Sequence, residues 1–325
     1  MSELDLKVSI TGATGFVGHA LLTRLSAMRY FEVQAWTRNV PVSTLDGVQY
    51  MQGGELSPDT DWREGLVGVD VLIHAAARVH IMNDGAADSL GEFRRVNVHG
   101  TLNLARQAAA GGVKRMVFIS SVKVNGESTT FGRAFTETDA PNPQDAYGQS
   151  KHEAEQGLRQ LSLETGMEVV IIRPPLVYGP GVRANFATLM RAVQNGRLLP
   201  LGAVNNKRSL VALYNLVDFI VICITRPQAA NQTFLVSDGH DMSTAELVRG
   251  MADTMDRAAR LSSVPVWVLR AGAGLLGKSD VAQRVCGNLQ VDISKARSLL
   301  DWVPPMSVED GLKCAMGRGS AISLR

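Results

Sequence analysis

The sequence predicts an α/β protein built on a parallel sheet with helices on both faces, and three observations predict it. Short segments that are apolar throughout, rather than alternating, recur along the first half of the chain. Helical stretches separate them, as crossovers between parallel strands require. A glycine-rich turn joins the first such strand directly to the first helix, at the carboxyl end of a strand, where sheets of this kind open a ligand crevice.

Taken in order, residues 6–10 read as a short buried strand, residues 11–18 as the glycine turn, and residues 16–28 as an apolar-periodic helix. Residues 31–37 read as the next strand, followed by an apolar strand over 69–74 with alanines behind it. A helix is expected at 93–110, then a strand at 114–120 that ends in small hydroxyl residues. The helix at 147–165 precedes a strand at 169–173, which Pro174 and Pro175 stop. Past Gly179 the alternation weakens: helix at 185–195, a short extended piece at 208–211, helix at 216–225, strand at 232–236 and helix at 244–258. Residues 1–178 are therefore expected to form the sheet domain. Residues 179–325 are expected to form mainly a smaller substrate domain over the sheet edge, with some later segments returning to the first.

At 325 residues the chain is long enough to bury a substantial core. Its 33 Lys and Arg stand against 31 Asp and Glu, a net charge of +2 without a polybasic tail, which argues against a nucleic-acid partner. Cys223, Cys286 and Cys314 lie far apart and outside any CxxC or Cys/His cluster, so neither a disulfide framework nor a metal site is expected. Glu3, Asp5 and Lys7 interrupt the N-terminus where a secretion signal would be apolar, and a reducing cytosol fits the composition. The apolar segments at 216–224 and 264–276 are too short, or too broken by Arg270 and glycines, to span a membrane. Burial is the expected role of both, with a peripheral amphipathic contact as the alternative.

Thr11 to Gly18 reads TGATGFVG, with glycines spaced GxxGxxG between a strand and a helix. Glycine permits the tight turn and lets the backbone approach a pyrophosphate, whose charge the free N–H groups of the helix start stabilise. The third glycine allows close packing of helix on strand. The pattern points to a dinucleotide. An acid at the end of the second strand would bind the adenosine ribose of NAD, but Trp36-Thr37-Arg38-Asn39 stands there. Arg38 suits the 2′-phosphate of NADP or covers adenine, and both cofactors, NAD or NADP, stay open.

Tyr147 and Lys151 are four apart in a helical stretch and share a face. An ammonium beside a phenol favours the phenolate, which makes a group with reference pKa near 10 usable near neutrality. Such a phenol exchanges a proton with a carbonyl oxygen while hydride moves at the carbon. Ser120 and Ser121 follow the strand at its carboxyl end, and Ser121 is placed to donate to the same oxygen. A hydrolase is the competing class, but the chain has no GxSxG elbow and no HExxH pair among His19, His74, His80, His99, His152 and His240. His74 ends an apolar strand and is expected to pack near the cofactor; Glu153 and Glu155 are expected on a solvated helix face.

These residues resemble the extended short-chain dehydrogenase/reductase family, in particular its nucleotide-sugar epimerases, dehydratases and 4-ketoreductases. The resemblance is carried by TGATGFVG at 11–18, HAAA at 74–77, NVHGT at 97–101, SSVKVNG at 120–126, YGQSK at 147–151, RPPLVYGPG at 173–181 and SKARSLLDW at 294–302. It implies a Rossmann-type doubly wound parallel sheet with a smaller C-terminal substrate-binding domain. Ser121, Tyr147 and Lys151 take the catalytic positions. For the cofactor it implies Gly12, Gly15 and Gly18, backbone donors at Phe16 and Val17, Glu55 and Leu56 beside adenine, and Ala75 and Ala76 under phosphates and ribose. Asn97 then supports the site at the sheet end, while Pro174 and Leu176 lie next to nicotinamide. For the substrate it implies Asn185, Arg208 and Arg284 near a diphosphate, with Lys123 an added cation beside the serines.

Two departures narrow the chemistry. Asn125 stands where a tyrosine commonly precedes the glycine, and Val122 and Lys123 replace the Asp-Glu pair that family dehydratases carry after the catalytic serine. Dehydration is thereby disfavoured. The pattern most resembles bacterial surface-polysaccharide (O-antigen) enzymes acting on UDP-N-acetylhexosamines. The leading expectation is reduction of UDP-2-acetamido-2,6-dideoxy-4-hexulose, because the missing acid after the second strand suits NADPH. The alternatives are an NAD-dependent UDP-glucose/UDP-N-acetylglucosamine 4-epimerase and a catalytically silent dinucleotide sensor. The resemblance also implies a homodimer.

Overall fold

A computed structural model of the chain describes residues 6–39, 43–79 and 88–319. Glu3, Asp5 and His80 lie outside them. The first half runs β1 (Leu6–Thr11), α1 (Phe16–Ser26), β2 (Phe31–Thr37), β3 (Val48–Gln52), α2 (Arg63–Leu66), β4 (Val71–His74), α3 (Ser89–Phe93), α4 (Thr101–Ala110), β5 (Arg115–Ile119), α5 (Ala146–Thr165) and β6 (Glu168–Arg173). The second half runs β7 (Leu176–Tyr178), α6 (Ala184–Gln194), β8 (Leu210–Ala212), α7 (Leu213–Thr225) and β9 (Thr233–Leu235). It closes with α8 (Thr244–Asp253), α9 (Val266–Leu275), α10 (Ser279–Cys286), α11 (Ser294–Leu300) and α12 (Val308–Ala315).

Seven strands form one sheet in the order β3-β2-β1-β4-β5-β6-β9, every pair parallel. The order reverses between β1 and β4, and the carboxyl ends of these two strands flank the crevice that such a reversal opens. This is the Rossmann-type sheet the sequence predicts. A second, two-stranded parallel sheet joins β7 to β8.

The pleat sorts the strand residues onto two cores. Val8, Ile10, Ile73, Val117, Val170 and Ile172 face α1 and α7, packing with Leu21, Leu25, Leu216 and Phe219. Leu72, Met116, Phe118, Val169 and Ile171 face α4 and α5, packing with Leu104, Ala108, Leu158 and Leu161. Because both faces are covered, the strands carry apolar residues on both sides, which explains their continuous rather than alternating pattern. A third core gathers Tyr178, Phe186, Leu210, Val248, Met251, Met306 and Leu312 from the C-terminal elements. Within it the Tyr178 hydroxyl donates to Asp238 at 2.8 Å, and Asp238 accepts from Ala212 N and Asn215 at 2.7 Å each.

The helix expected at 93–110 is interrupted: a π-helical turn, Arg94–Gly100, separates α3 from α4. One extra residue per turn leaves the apolar spacing of a short stretch almost unchanged, so periodicity does not reveal it. Strand β3 escapes the sequence reading because it lies at the sheet edge with every residue half-buried or exposed. Helix α8 ends at Asp253 rather than 258, and Asp256 has a left-handed φ of 55°.

Glu155 overturns its sequence expectation. It is completely buried, not solvated, and its carboxylate accepts from Arg173 Nε at 2.9 Å, Arg173 Nη2 at 2.6 Å and Ser120 Oγ at 2.6 Å. Arg173, itself buried, also donates to Asn125 Oδ1 at 2.9 Å. Asn125, the residue in place of the usual tyrosine, thus closes a polar network joining β5, α5 and β6. Glu153 behaves as expected, pairing with Arg94 at the surface. Among the described residues no helix is long and apolar enough to cross a membrane, and the three cysteines are buried and form no disulfide.

Removing one partner of a buried pair strands the other charge. Glu155→Gln is expected to lower the unfolding free energy by about 3–5 kcal/mol, and Glu153→Gln by about 1 kcal/mol or less. Urea midpoints of the two variants at pH 7 check the contrast.

Candidate active site

The turn after β1 is built by steric necessity. Gly12 has φ +74°, and a Cβ there would lie 2.6 Å from Ala76 N and 2.7 Å from Ala75 C. A Cβ on Gly18 would overlap the Gly12 carbonyl. Gly15 N donates to Gly12 O at 2.9 Å, and Gly15 then precedes α1 with no side chain capping it. The first-turn N–H groups, those of Phe16 and Val17 among them, are therefore left for an anion.

A cleft of about 380 Å³ opens beside this turn, lined by Gly12, Gly15, Arg38, Glu55, Leu56, Ala75 and Ala76, seven of the predicted cofactor residues. The structure adds Trp36, Trp62, Arg78 and Arg95 to its wall. Trp36 is the penultimate residue of β2, in the stretch where an acid was sought, and its indole donates to Ser9 Oγ at 2.9 Å. Gly53 leaves room for it: a Cβ there would lie 2.7 Å from Trp36 Cε3. Trp62 meets Trp36 edge-on, ring centroids 4.9 Å apart. The position of Trp36 was a usable signal, since residues ending a parallel strand border the crevice; nothing in the sequence marked Trp62. Thr37 Oγ1 and Trp62 Nε1 are buried without hydrogen-bond partners in this wall. Together with the side-chain-free surface at Gly12, these orphaned polar atoms fit a dinucleotide.

Asn97, in the π-helical turn, ties the alanine loop to α5. Its Oδ1 accepts from Arg78 N at 2.8 Å, and its Nδ2 donates to Arg78 O at 3.0 Å and to Ser150 Oγ at 3.1 Å. Ser150 in turn donates to the Tyr147 carbonyl at 2.8 Å. His74, fully buried, bonds to Thr11 Oγ1 at 2.6 Å and Thr101 Oγ1 at 2.9 Å. Burial, with the nearby Lys151 charge, lowers its pKa to about 3, so it is a neutral structural residue.

Lys151 is buried in α5, its Nζ donating to Ile119 O at 2.8 Å and lying 4.3 Å from the Phe118 ring centroid. Ser121, two residues beyond β5, accepts from Lys123 N at 3.2 Å and starts a short 3₁₀ turn. The half-buried Tyr147 ring packs edge-on against Phe93, centroids 6.1 Å apart. Pro174, buried after β6, fixes this end of the sheet by accepting from Val122 N at 3.0 Å, and Leu176 is partly exposed beyond it. The expected direction of the phenol shift is corrected here. Burial pushes the Tyr147 phenol up, and the Asp145 carboxylate adds to it. Burial lowers the Lys151 amine to about 7 against the opposing charge of Glu155. Spacing places an amine and a phenol on one face of α5, but how far each is desolvated depends on what packs over it.

The substrate residues are less gathered. Lys123 is tied to two carboxylates, Glu127 at 2.9 Å and Asp145, so its charge is already answered. Arg208 is half-buried and donates to Gly287 O at 3.1 Å. Asn185 is exposed in the first turn of α6. Arg284 is exposed and donates to the Asp280 carbonyl of its own helix at 3.2 Å.

Comparison with known proteins agrees with this geometry. The NAD dependent epimerase/dehydratase family matches residues 8–237. A protein of Vibrio cholerae named UDP-glucose 4-epimerase is 48% identical over 312 residues, 96% of this chain and 94% of its own. An N-acetyl-alpha-D-glucosaminyl-diphospho-ditrans,octacis-undecaprenol 4-epimerase of Escherichia coli O157:H7 is 26% identical, covering 94% of this chain and 92% of its own. Among solved structures, UDP-glucuronic acid 4-epimerase from Bacillus cereus in complex with NAD superposes with a TM-score of 0.78 at 19% identity, covering 96% of each chain.

Two outcomes follow from the site. Gly12→Ala combines a left-handed φ with overlap onto Ala76, and is expected to abolish detectable dinucleotide binding in a calorimetric titration. Lys151 has a folded pKa near 7, below its ordinary 10.5. The unfolded chain therefore holds more protons between these values, and stability rises with pH there, by at most about 1.4 kcal/mol per unit. Lys151→Met should lack that rise, which denaturant curves of both proteins at pH 7 and pH 9 would reveal.

Proposed function

The chain belongs to the NAD dependent epimerase/dehydratase family, and from that premise we propose that it interconverts the C4 epimers of a UDP-sugar. The observation that carries this reading is the 48% identity, over nearly the full length of both chains, to a protein named UDP-glucose 4-epimerase. The E. coli relative also bears the name of a 4-epimerase. Reduction of UDP-2-acetamido-2,6-dideoxy-4-hexulose, the leading expectation from sequence, rested on the missing acid after β2 and on Arg38. It is less well supported, because the relative at 48% identity carries the name of an epimerase. The silent-sensor alternative falls with membership of an enzyme family.

NAD is the proposed cofactor; the Gly12–Gly18 turn and the cleft between Arg38, Glu55 and Ala75 would hold it, and it would supply a reversible hydride acceptor for the sugar C4. The solved B. cereus structure that shares the fold holds NAD. In this chain Tyr147 moves the proton at the sugar O4, and Ser121 aligns that oxygen. A raised phenol is protonated at neutral pH and ready to donate. Its use as a base calls for positive charge beside it, which Lys151 supplies in its protonated form. Arg208 and Asn185 are assigned to the UDP diphosphate, and residues 179–325 mainly to the substrate side. The product is assigned to bacterial surface-polysaccharide synthesis in the cytoplasm by a homodimeric enzyme.

Incubation with UDP-glucose and with UDP-N-acetylglucosamine should yield the galacto epimers without net change in NAD(P)H absorbance. Tyr147→Phe should lose activity by about 10²- to 10⁴-fold while retaining bound nucleotide. Stoichiometric NADPH consumption with a UDP-4-keto sugar, and no epimer formed from either UDP-hexose, would overturn the proposal in favour of reduction.

A further inference from the structure

Helix α9 presents its apolar side outward. None of its residues is buried, Trp267 is 72% exposed and Leu275 90% exposed. Val268, Leu276 and Val281 continue the surface into the turn and α10. Five of the fourteen exposed large hydrophobic residues among those described thus fall within fifteen positions of one helical hairpin. Scattered exposed apolar residues need no explanation, whereas a concentration of this kind marks a contact surface. Trp267, Ala271 and Leu275 follow one another at four-residue spacing and form a single stripe. Val266, Leu269, Gly272 and Ala273 are half-buried on the other side.

The charge around this stripe selects the occupant. The hairpin, residues 266–286, carries Arg270, Lys278 and Arg284 against the single acid Asp280, an excess as large as the +2 of the whole 325-residue chain. A cationic helix with an outward aromatic and leucines, too short to cross a membrane, has the makeup of an element that lies in the interface of an anionic bilayer.

We propose that the α9–α10 hairpin docks the protein reversibly onto an anionic lipid surface, Trp267, Leu275 and Leu276 entering the headgroup boundary with Arg270 and Lys278 beside them. The hairpin is anchored to the body by carbonyls at its far end: Val285 O accepts from Thr244 Oγ1 at 2.6 Å and Asn206 Nδ2 at 3.1 Å, and Gly287 O from Arg208. The proposal stands apart from the sugar chemistry, since it uses none of the catalytic residues.

The test is co-sedimentation of the full-length protein with vesicles of phosphatidylglycerol and phosphatidylethanolamine, and with vesicles of phosphatidylcholine alone. Binding to the first and not the second is expected, weakened by raised salt. A triple variant, Trp267→Ser, Leu275→Ser, Leu276→Ser, should reduce the bound fraction by about tenfold or more while turnover of soluble UDP-sugar is kept. The charge variant Arg270→Glu, Lys278→Glu should do the same with the apolar stripe intact. Equal sedimentation of parent and both variants would overturn the proposal. So would a stripe that proves to be a self-interface, with the parent dimeric, the triple variant monomeric by light scattering, and neither bound to vesicles.

Discussion

The close approach of backbone to backbone at Gly12 is the constraint on which the rest of the molecule is arranged. β1 and β4 must bring the turn and the Ala75-Ala76 segment within a distance that leaves no space for a single methyl group. α1 must begin where its third residue, Gly18, rests on the Gly12 carbonyl. These two contacts fix the angle at which the first helix leaves the sheet and aim its uncapped end at the crevice. The reversal of strand order there, the tryptophan wall and the alanine floor all take their positions from that geometry.

A second constraint is the buried Glu155–Arg173 pair, which couples the strand ends that carry Ser121 and Pro174 to the helix that carries Tyr147 and Lys151. Desolvating two full charges is costly, and hydrogen bonds from Ser120 and Asn125 offset that cost. Such a network tolerates few alternative geometries. It holds α5 in register with β5 and β6.

Much of the fold was legible because the physics that forms it is local. Six of the seven main-sheet strands announce themselves as apolar runs, and the glycine spacing identifies the turn. Edge strand β3 did not, because only a strand covered on both sides is apolar throughout. At the site, the glycine spacing together with the family resemblance named Gly12, Gly15, Arg38, Glu55, Leu56, Ala75 and Ala76, which line one cleft. Burial was the property spacing could not supply. Glu155 sits one turn after Lys151 and reads as surface, yet the return of β6 encloses it. The same blindness reversed the expected shift at Tyr147, since the desolvation of a phenol depends on what packs over it, not on its neighbours in sequence.

The return of β9 to the main sheet carries a kinetic consequence. Arg173 of β6 pairs with Leu235 of β9, and the intervening chain holds β7, α6, β8 and α7. During synthesis, β6 is the last strand of the sheet for the whole interval in which that excursion emerges. Its hydrogen-bonding edge is open throughout, on a strand of apolar, β-branched residues. Sheet closure thus waits on a contact remote in sequence, which slows folding and prolongs the period in which nascent chains can pair with one another.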